Sequence, residues 1–470
     1  MTGTERTRRR VPEDVVARLK AIVGPAGTVE DPEDIAPYCV AWRDGWHGRV
    51  PVVLRPASTE EVSAIVAICA ETRTPIVPQG GNTGLTGASQ PHDDMSEVIV
   101  STARMRAVRS LDLLNDTITV EAGVVLAEIQ ERAKAAERLF PLSLGAEGSA
   151  QIGGNLSTNA GGTQVLRYGN ARNLVLGLEV VLPDGRVWNG LRGLRKDNTG
   201  YDMKQLFIGA EGTLGIVTGA TVELRRQEET GPTAFVAVRT VEDAVALFSA
   251  LEAGGGLDAC ELISQAGMSR LAGMPGAPPL PLGMDHPWYV LVEWAGTTTD
   301  GAGLLEPAEA LIVDGVMAAS EQQRNDLWRI REMHGAACRR AGHPRQHDVA
   351  VPRSAIAAFM AEATNVARQR APAWQPVPIA HIGDGNVHFD LVPRDAGSSP
   401  AFDCELSASI HDLAHRCGGV FSAEHGIGAA RANELHRLMP HGNAQALAAI
   451  RQALDPHGLM NPGKVIAPLA

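Results

Sequence analysis

The sequence predicts an α+β chain of two domains, and three observations carry that prediction. Its 470 residues exceed what a single hydrophobic core ordinarily serves. From Val50 onwards, strand-like and helix-like segments alternate with glycine-rich stretches between them. At about residue 227 the polar stretch "QEETGPT" interrupts that run, and a second series of strands and helices begins.

The elements follow in order. Residues 1–46 read as a helical lead-in, because "PEDVVARLKAIVG" sets Val15, Leu19, Ile22 and Val23 at helical spacing. "VVLRPASTEEVSAIVAICAETRTPIVPQ" is a strand, a helix and a strand. Ser58 and Glu61 form a capping box, and Val62, Ile65, Val66 and Cys69 make the buried stripe. "DTITVEAGVVLAEIQERAKAAE" is a strand leading into an amphipathic helix, and "LVLGLEVVLPDGRVW" is a hairpin through Pro183-Asp184-Gly185. These segments group into a domain over 47–226, a second α+β domain over 227–457 and a closing segment over 458–470. Eleven of the 14 histidines fall at or after His334, which assigns any histidine chemistry to the second domain.

Composition narrows the function. Hydrophobic residues make up 44% and charged residues 20%, as in soluble globular proteins and unlike disordered or fibrous chains. The formal charge of -12 is spread along the chain, and the one basic run is Arg6 to Arg10, so nucleic acid is not an expected partner. Cysteines at 39, 69, 260, 338, 404 and 417 contain no CxxC pair and read as reduced. No apolar run reaches the roughly 20 residues of a membrane helix. Without an apolar core after the N-terminal arginines, the expected location is cytoplasmic.

Three glycine-rich segments point to an extended ligand. "PQGGNTGLTGAS" follows a strand directly and brings successive backbone N–H groups to bear on an anion such as pyrophosphate. No lysine follows its last glycine, and its spacing differs from the dinucleotide fingerprint. "GAEGSAQIGGNLSTNAGGTQVLRYG" and "GYDMKQLFIGAEGTLGIVTGATVEL" repeat the pattern, which favours a large cofactor approached closely by backbone.

The second half carries "PIAHIGDGNVHFDLV", a hairpin signal centred on Asp384-Gly385. That register puts His381 and His388 opposite one another on one face, about 5 Å apart at Cβ. Two hairpin histidines satisfied by their neighbours are the alternative. "FSAEHGIG" adds Glu424 and His425, and two imidazoles with a carboxylate suit zinc or manganese. His411 and His415 lack an accompanying carboxylate and read as structural or surface residues.

Taken together, "PQGGNTGLTGAS", "IGGNLSTNAGG", "RYGNARNLVLGLEVVLPDG", "KDNTGYDMKQLFIGAEGTLGIVT" and "MNPGKV" resemble the PCMH-type FAD-binding domain of the vanillyl-alcohol oxidase/PCMH superfamily. The second half resembles the FAD-linked oxidase C-terminal domain, in the D-2-hydroxyacid dehydrogenase branch that includes D-2-hydroxyglutarate, D-lactate and glycolate dehydrogenases. The resemblance runs from about 50 to 470. It implies an FAD-binding domain followed by a substrate or cap domain. Pro78, Gln79, Gly80, Gly81, Asn82, Thr83, Gly84 and Ser89 would cradle the FAD pyrophosphate. Gly148, Gly153, Gly154, Ser157 and Gly161 would line the flavin and its phosphates, Ile216 and Val217 the adenosine or ribityl part, and Asn461 the isoalloxazine. No histidine stands in the first loop, so the FAD is expected to be non-covalent.

By the same resemblance His381, His388 and Glu424 are metal ligands, and His425 is the catalytic base and a substrate contact. Asn386, Arg331 and Gln346 also belong to the substrate. Arg331 would hold the carboxylate, although a helix-surface pairing with Glu332 or Asp326 is the alternative. Gln346 stands where the 2-hydroxyglutarate enzymes carry a lysine, which weakens the expectation of that substrate. The implied reaction is oxidation of a D-2-hydroxyacid to the 2-oxoacid, with the hydride passing to flavin N5. Electrons would leave to an electron-transfer flavoprotein, a quinone or a cytochrome, and the chain would form a homodimer. An oxygen-using oxidase, a non-catalytic FAD-binding subunit and a metallohydrolase are the competing readings.

Overall fold

The computed structural model describes residues 9–42, 45–228, 230–296, 301–340, 342–395 and 404–466. The chain folds as two units, one from Met1–Gly162, Tyr168–Gln227 and Glu424–Ala470, the other from Thr163–Arg167 and Glu228–Ala423.

In the first unit, helix α1 (Glu13–Gly27) buries Val15, Leu19 and Val23, the stripe expected from their spacing. A small sheet has the order β1-β2-β4-β3, from β1 (Thr28–Val29), β2 (Val53–Leu54), β3 (Ile76–Gln79) and β4 (Val98–Ser101). Helix α2 (Thr59–Thr72) packs Val62, Ile65, Val66 and Cys69 beneath it. Ser58 accepts from Glu61 N–H as expected. The Glu61 carboxylate reaches Ala57 N–H, one residue short of the reciprocal bond a capping box makes. A five-stranded antiparallel sheet has the order β5-β6-β9-β7-β8, from β5 (Val108–Asp112), β6 (Thr117–Glu121), β7 (Val175–Val181), β8 (Val187–Gly190) and β9 (Ile216–Glu223). Strands β7 and β8 are the expected hairpin through Pro183-Asp184-Gly185.

The second unit is built on one antiparallel sheet. Its seven described strands are β10 (Thr230–Val238), β11 (Leu257–Ser264), β12 (Trp288–Ala295), β13 (Asp314–Met317), β14 (Asp348–Ala350), β15 (Trp374–His381) and β16 (Asn386–Pro393). They run in the order β13-β10-β12-β11-β15-β16-β14. Alternation divides its two faces. Leu262, Val290, Val292, Ala380, Val387, Phe389 and Leu391 point into one core with the helices Val241–Glu252, Ile356–Arg370 and Cys404–Arg416. Phe235, Ile263, Tyr289, Leu291 and Ile379 point the other way, against the helices Glu321–Glu332 and His334–Arg340. The polar residues discussed below lie on that second face.

Two boundaries differ from those read in the sequence. The described residues of the 1–46 segment are part of the first unit, where Val11, Val15, Leu19 and Val23 share a core with Val62 and Ile65. Residues 424–457 also belong to the first unit, although the sequence grouped them with the second domain. Backbone hydrogen bonds explain the assignment. Ala429 and Ala430 donate to the Thr86 carbonyl, and Met460 bridges Ile76 in parallel. No described helix is long and apolar enough to cross a membrane. Cys39, Cys69, Cys260, Cys338 and Cys417 are free thiols.

Candidate functional site

The glycine segments of the first unit converge. Gly81 packs so tightly that a Cβ there would lie 2.0 Å from the Ser149 carbonyl oxygen, which binds the first loop to the second. Gly153 is similarly closed against Ala122, and Gly212, with φ +71, lies over the Pro78 ring. At Gly84, Gly148 and Gly154, by contrast, an added Cβ would meet nothing within 4 Å. Some glycines therefore let the loops meet, while others face open space.

Polar side chains knit the loops. Asn82, at φ 55, donates through Nδ2 to the Pro37 and Val40 carbonyls. Its Oδ1 accepts from Ser89 and Gln90. Gln79 donates to the Tyr38 and Ser89 carbonyls, and the Ser157 hydroxyl to the Gly153 carbonyl. Thr83 and Gly161 are half-buried loop residues. The Ile216 and Val217 side chains are buried in hydrophobic clusters, and their backbones pair with Val181 and Val180 in the sheet. Asn461 donates to the Ala88 and Glu211 carbonyls. Its buried Oδ1 has no hydrogen-bond partner among the described residues, and neither has that of Asn155.

Glu211 is a residue the sequence reading passed over. Its carboxylate accepts from Ile427 N–H at 2.7 Å and Gly428 N–H at 2.8 Å. The turn after His425 is thereby held from below. Gly426 (φ 77) and Gly428 (φ 54) both take left-handed backbone there. The Thr86 hydroxyl donates to the His425 carbonyl at 3.4 Å. Burial pushes the Glu211 carboxyl up, against the pull of its two backbone donors. The signal in sequence was "GAEGTLG", where a charged residue sits among glycines.

In the second unit the hairpin forms, but its register is not the expected one. His381 pairs with Asn386, and His388 pairs with Ile379, two residues along. A four-residue turn at 382–385, with Gly385 at φ 83, replaces the tighter one that would have set the histidines opposite. Because the shift is even, both rings remain on the same face as diagonal neighbours, with centroids 5.4 Å apart.

Glu261, opposite His381 on β11, organises the group. Its Oε1 accepts from His381 Nδ1 at 2.7 Å and its Oε2 from Arg331 Nε at 2.8 Å. Arg331 Nη2 then donates to His381 Nε2 at 2.8 Å. A guanidinium only donates, so Nε2 presents its lone pair and Nδ1 carries the proton. Burial would push the Glu261 carboxyl up, but the Arg331 charge and the hydrogen bonds from His381 and Arg331 outweigh it and hold it down. Arg331 is thus committed inward rather than to Glu332 or Asp326. The His381 tautomer is thus set by Glu261, which no motif in the sequence marks. Such a carboxylate behind an imidazole is the usual support of a metal-ligating histidine.

His388 faces Asp348, Nδ1 to Oδ1 3.9 Å. Asn386, expected at the substrate, has its Nδ2 committed to Asp348 and the Val349 carbonyl. Gln346 donates to Asp390. His411 stacks edge-on with His347, consistent with a structural role, and His415 is exposed. Glu424 and His425 lie in the first unit.

A family model described as "FAD linked oxidases, C-terminal domain" matches residues 227–465, and an "FAD binding domain" model matches residues 50–190. The chain belongs to the FAD-linked oxidase family. This FAD-linked oxidase is 36% identical to a Bos taurus protein named "D-2-hydroxyglutarate dehydrogenase, mitochondrial", over 97% of its own length and 84% of that protein. It is 32% identical to a Stutzerimonas stutzeri "D-2-hydroxyglutarate dehydrogenase", over 96% and 99%. Among solved structures it shares the fold of p-cresol methylhydroxylase with a TM-score of 0.74, at 17% identity over 97% of this chain and 96% of that one. The FAD-linked oxidase is therefore an FAD-dependent oxidoreductase of the D-2-hydroxyacid dehydrogenase branch. The residues fit the cofactor: open glycines 84, 148 and 154, and the orphaned amide oxygens of Asn461 and Asn155, provide close approach and acceptors for a large polar ligand.

Proposed function

We propose that this FAD-linked oxidase oxidises a D-2-hydroxyacid to the 2-oxoacid with the help of a divalent metal, zinc or manganese, and passes the electrons to an acceptor other than NAD. The observation that carries the proposal is the Glu261–His381–Arg331 arrangement, in which one carboxylate orients an imidazole lone pair and the guanidinium that donates to it. The relatives' names support the substrate class.

In this reading His381 Nε2, once the Arg331 Nη2 donor gives way, would hold the metal with His388 and Glu424, and the metal would supply Lewis acidity towards the substrate. FAD, held non-covalently by the Pro78–Gly84, Gly148–Ser157 and Asn461 regions, supplies the two-electron acceptor. Arg331 binds the substrate carboxylate, using guanidinium donors beyond the Nε that Glu261 retains. The His425 imidazole accepts the hydroxyl proton as general base. Glu261 keeps His381 in one tautomer and anchors Arg331 through Nε, which leaves the other guanidinium donors to turn towards the substrate. Electron-transfer flavoprotein, quinone or cytochrome is the acceptor class.

The test is anaerobic bleaching of the flavin absorbance with a panel of D- and L-2-hydroxyacids, with and without prior metal removal. Bleaching by D-isomers that is lost on metal removal and restored by zinc or manganese is expected. No bleaching by any hydroxyacid sinks the dehydrogenase reading, and full activity in rigorously metal-free protein sinks the metal. Stoichiometric peroxide in air would instead indicate the oxidase. His425→Ala should retain flavin and abolish bleaching.

A further inference from the structure

Glu211 makes three connections at once. Its backbone N–H donates to the Ser157 carbonyl at 2.8 Å, and its own carbonyl accepts from Asn461 Nδ2 at 2.7 Å. Its carboxylate takes the N–H groups of Ile427 and Gly428, the second and third residues after His425. Ser157 and Asn461 are among the residues assigned to FAD, and His425 is the proposed base. One residue therefore ties the cofactor segments to the turn that bears the base, all within the first unit.

The local backbone is shaped for this contact. Glu211 takes left-handed geometry, φ 50, which a residue with a Cβ adopts only where its surroundings impose it. At 6% exposure its carboxylate is withdrawn from water and meets the two peptide donors instead. The charges of Arg431 and Lys464 act on the same carboxylate. Glycine permits the approach, since a Cβ on Gly426 would lie 2.8 Å from Glu211 Oε1. Thr86 of the first glycine loop closes the turn with its carbonyl, which accepts from Ala429 and Ala430 N–H. A Cβ on Gly428 would lie 2.1 Å from that oxygen. Arg431 Nη1 adds a bond to the Gly426 carbonyl at 3.4 Å, and Val465 N–H one to the Gly428 carbonyl. Among these ties, the carboxylate is the one that receives the turn's own N–H groups next to His425.

We infer that Glu211 is the positioning residue for His425: it fixes the base-bearing turn against the segments that hold the flavin, and so sets the rate of proton removal from the substrate hydroxyl rather than the affinity for substrate. This rests on the dehydrogenase reading above. Arg331 and the metal hold the substrate in that reading, whereas the base acts chiefly in the transition state, where a small displacement is felt most.

The experiment uses Glu211→Gln in the flavin-loaded protein, with the D-2-hydroxyacid that bleaches the wild type. The substitution keeps the shape and one acceptor oxygen but sets an amide NH2 against the second turn N–H. The limiting rate of anaerobic bleaching should fall by about tenfold or more, with the half-saturating concentration changed by less than about threefold. Glu211→Asp, which keeps the charge and tolerates the left-handed backbone, should recover part of the rate. Reoxidation of dithionite-reduced flavin by an artificial dye needs no base and should match wild type. Amide hydrogen exchange over residues 425–430 of the holoenzyme should quicken in Glu211→Gln, which reports the turn independently of activity. An unchanged limiting rate, a change confined to the half-saturating concentration, or an equal loss in dye reoxidation overturns this inference and leaves the dehydrogenase reading intact. Wild-type protein that bleaches with no D-2-hydroxyacid overturns both.

Discussion

Glu261 and His381 face one another across adjacent strands and are joined by a 2.7 Å hydrogen bond from Nδ1 to Oε1, while the other carboxylate oxygen holds Arg331. One buried carboxylate therefore orients two residues of different chemistry.

Replacing Glu261 with Gln removes that charge while preserving shape. The proposed metal should then be held at least about tenfold more weakly, the usual effect of losing a carboxylate behind a ligating histidine. Zinc content at a buffered free-zinc concentration reads this directly. Flavin absorbance of the purified protein should be unchanged, because Glu261 lies in the other unit from the glycine loops.

Glu211→Ala leaves the buried N–H groups of Ile427 and Gly428 without their acceptor. A destabilisation of about 2–5 kcal/mol follows, measured by urea unfolding. Glu211→Gln, which retains an acceptor oxygen, should fall between wild type and alanine. Equal stability of all three would show that the turn is held by other means.

Two glycine substitutions should part company. Gly81→Ala forces a Cβ to within 2.0 Å of the Ser149 carbonyl oxygen and should destabilise the protein by roughly 2–4 kcal/mol. Gly84→Ala meets no protein atom within 4 Å, so its urea midpoint should stay near that of wild type. Its flavin content should nonetheless fall if that space belongs to the cofactor, as equilibrium dialysis would show.

His334 links stability to pH. Burial pushes its pKa down to about 3 in the folded chain, against an ordinary 6.5 when unfolded. The unfolded state therefore binds the extra proton between those values, and stability falls as pH drops from 6.5 towards 3. The full effect has an upper bound of roughly 4–5 kcal/mol. His334→Gln should flatten that limb of a urea-midpoint curve measured against pH.

Local patterns in the sequence carried most of the fold. The α1 stripe, the Ser58 cap, the Pro183-Asp184-Gly185 hairpin and the glycine loops all follow from spacings within about fifteen residues, and all are present. Relations across long separations were not legible. Glu261 meets His381 from 120 residues away and Glu211 meets Ile427 from 216, and no periodicity encodes either encounter. The hairpin register was misjudged because "IGDG" accommodates more than one turn length, and turn length fixes register. The segment 424–457 was misassigned because its ties to Thr86 run through backbone, which leaves no mark on residue type.

The turn at 382–385 has an evolutionary consequence. Faces are fixed by position within each strand, so a residue gained or lost inside the turn leaves His381 and His388 on the face they share. A residue gained or lost between Asn386 and His388 would instead rotate that imidazole into the core with Val387 and Phe389. Lineages descended from this fold should therefore vary the turn in length while keeping the Asn386–His388 spacing, or surrender the paired imidazoles when they do not.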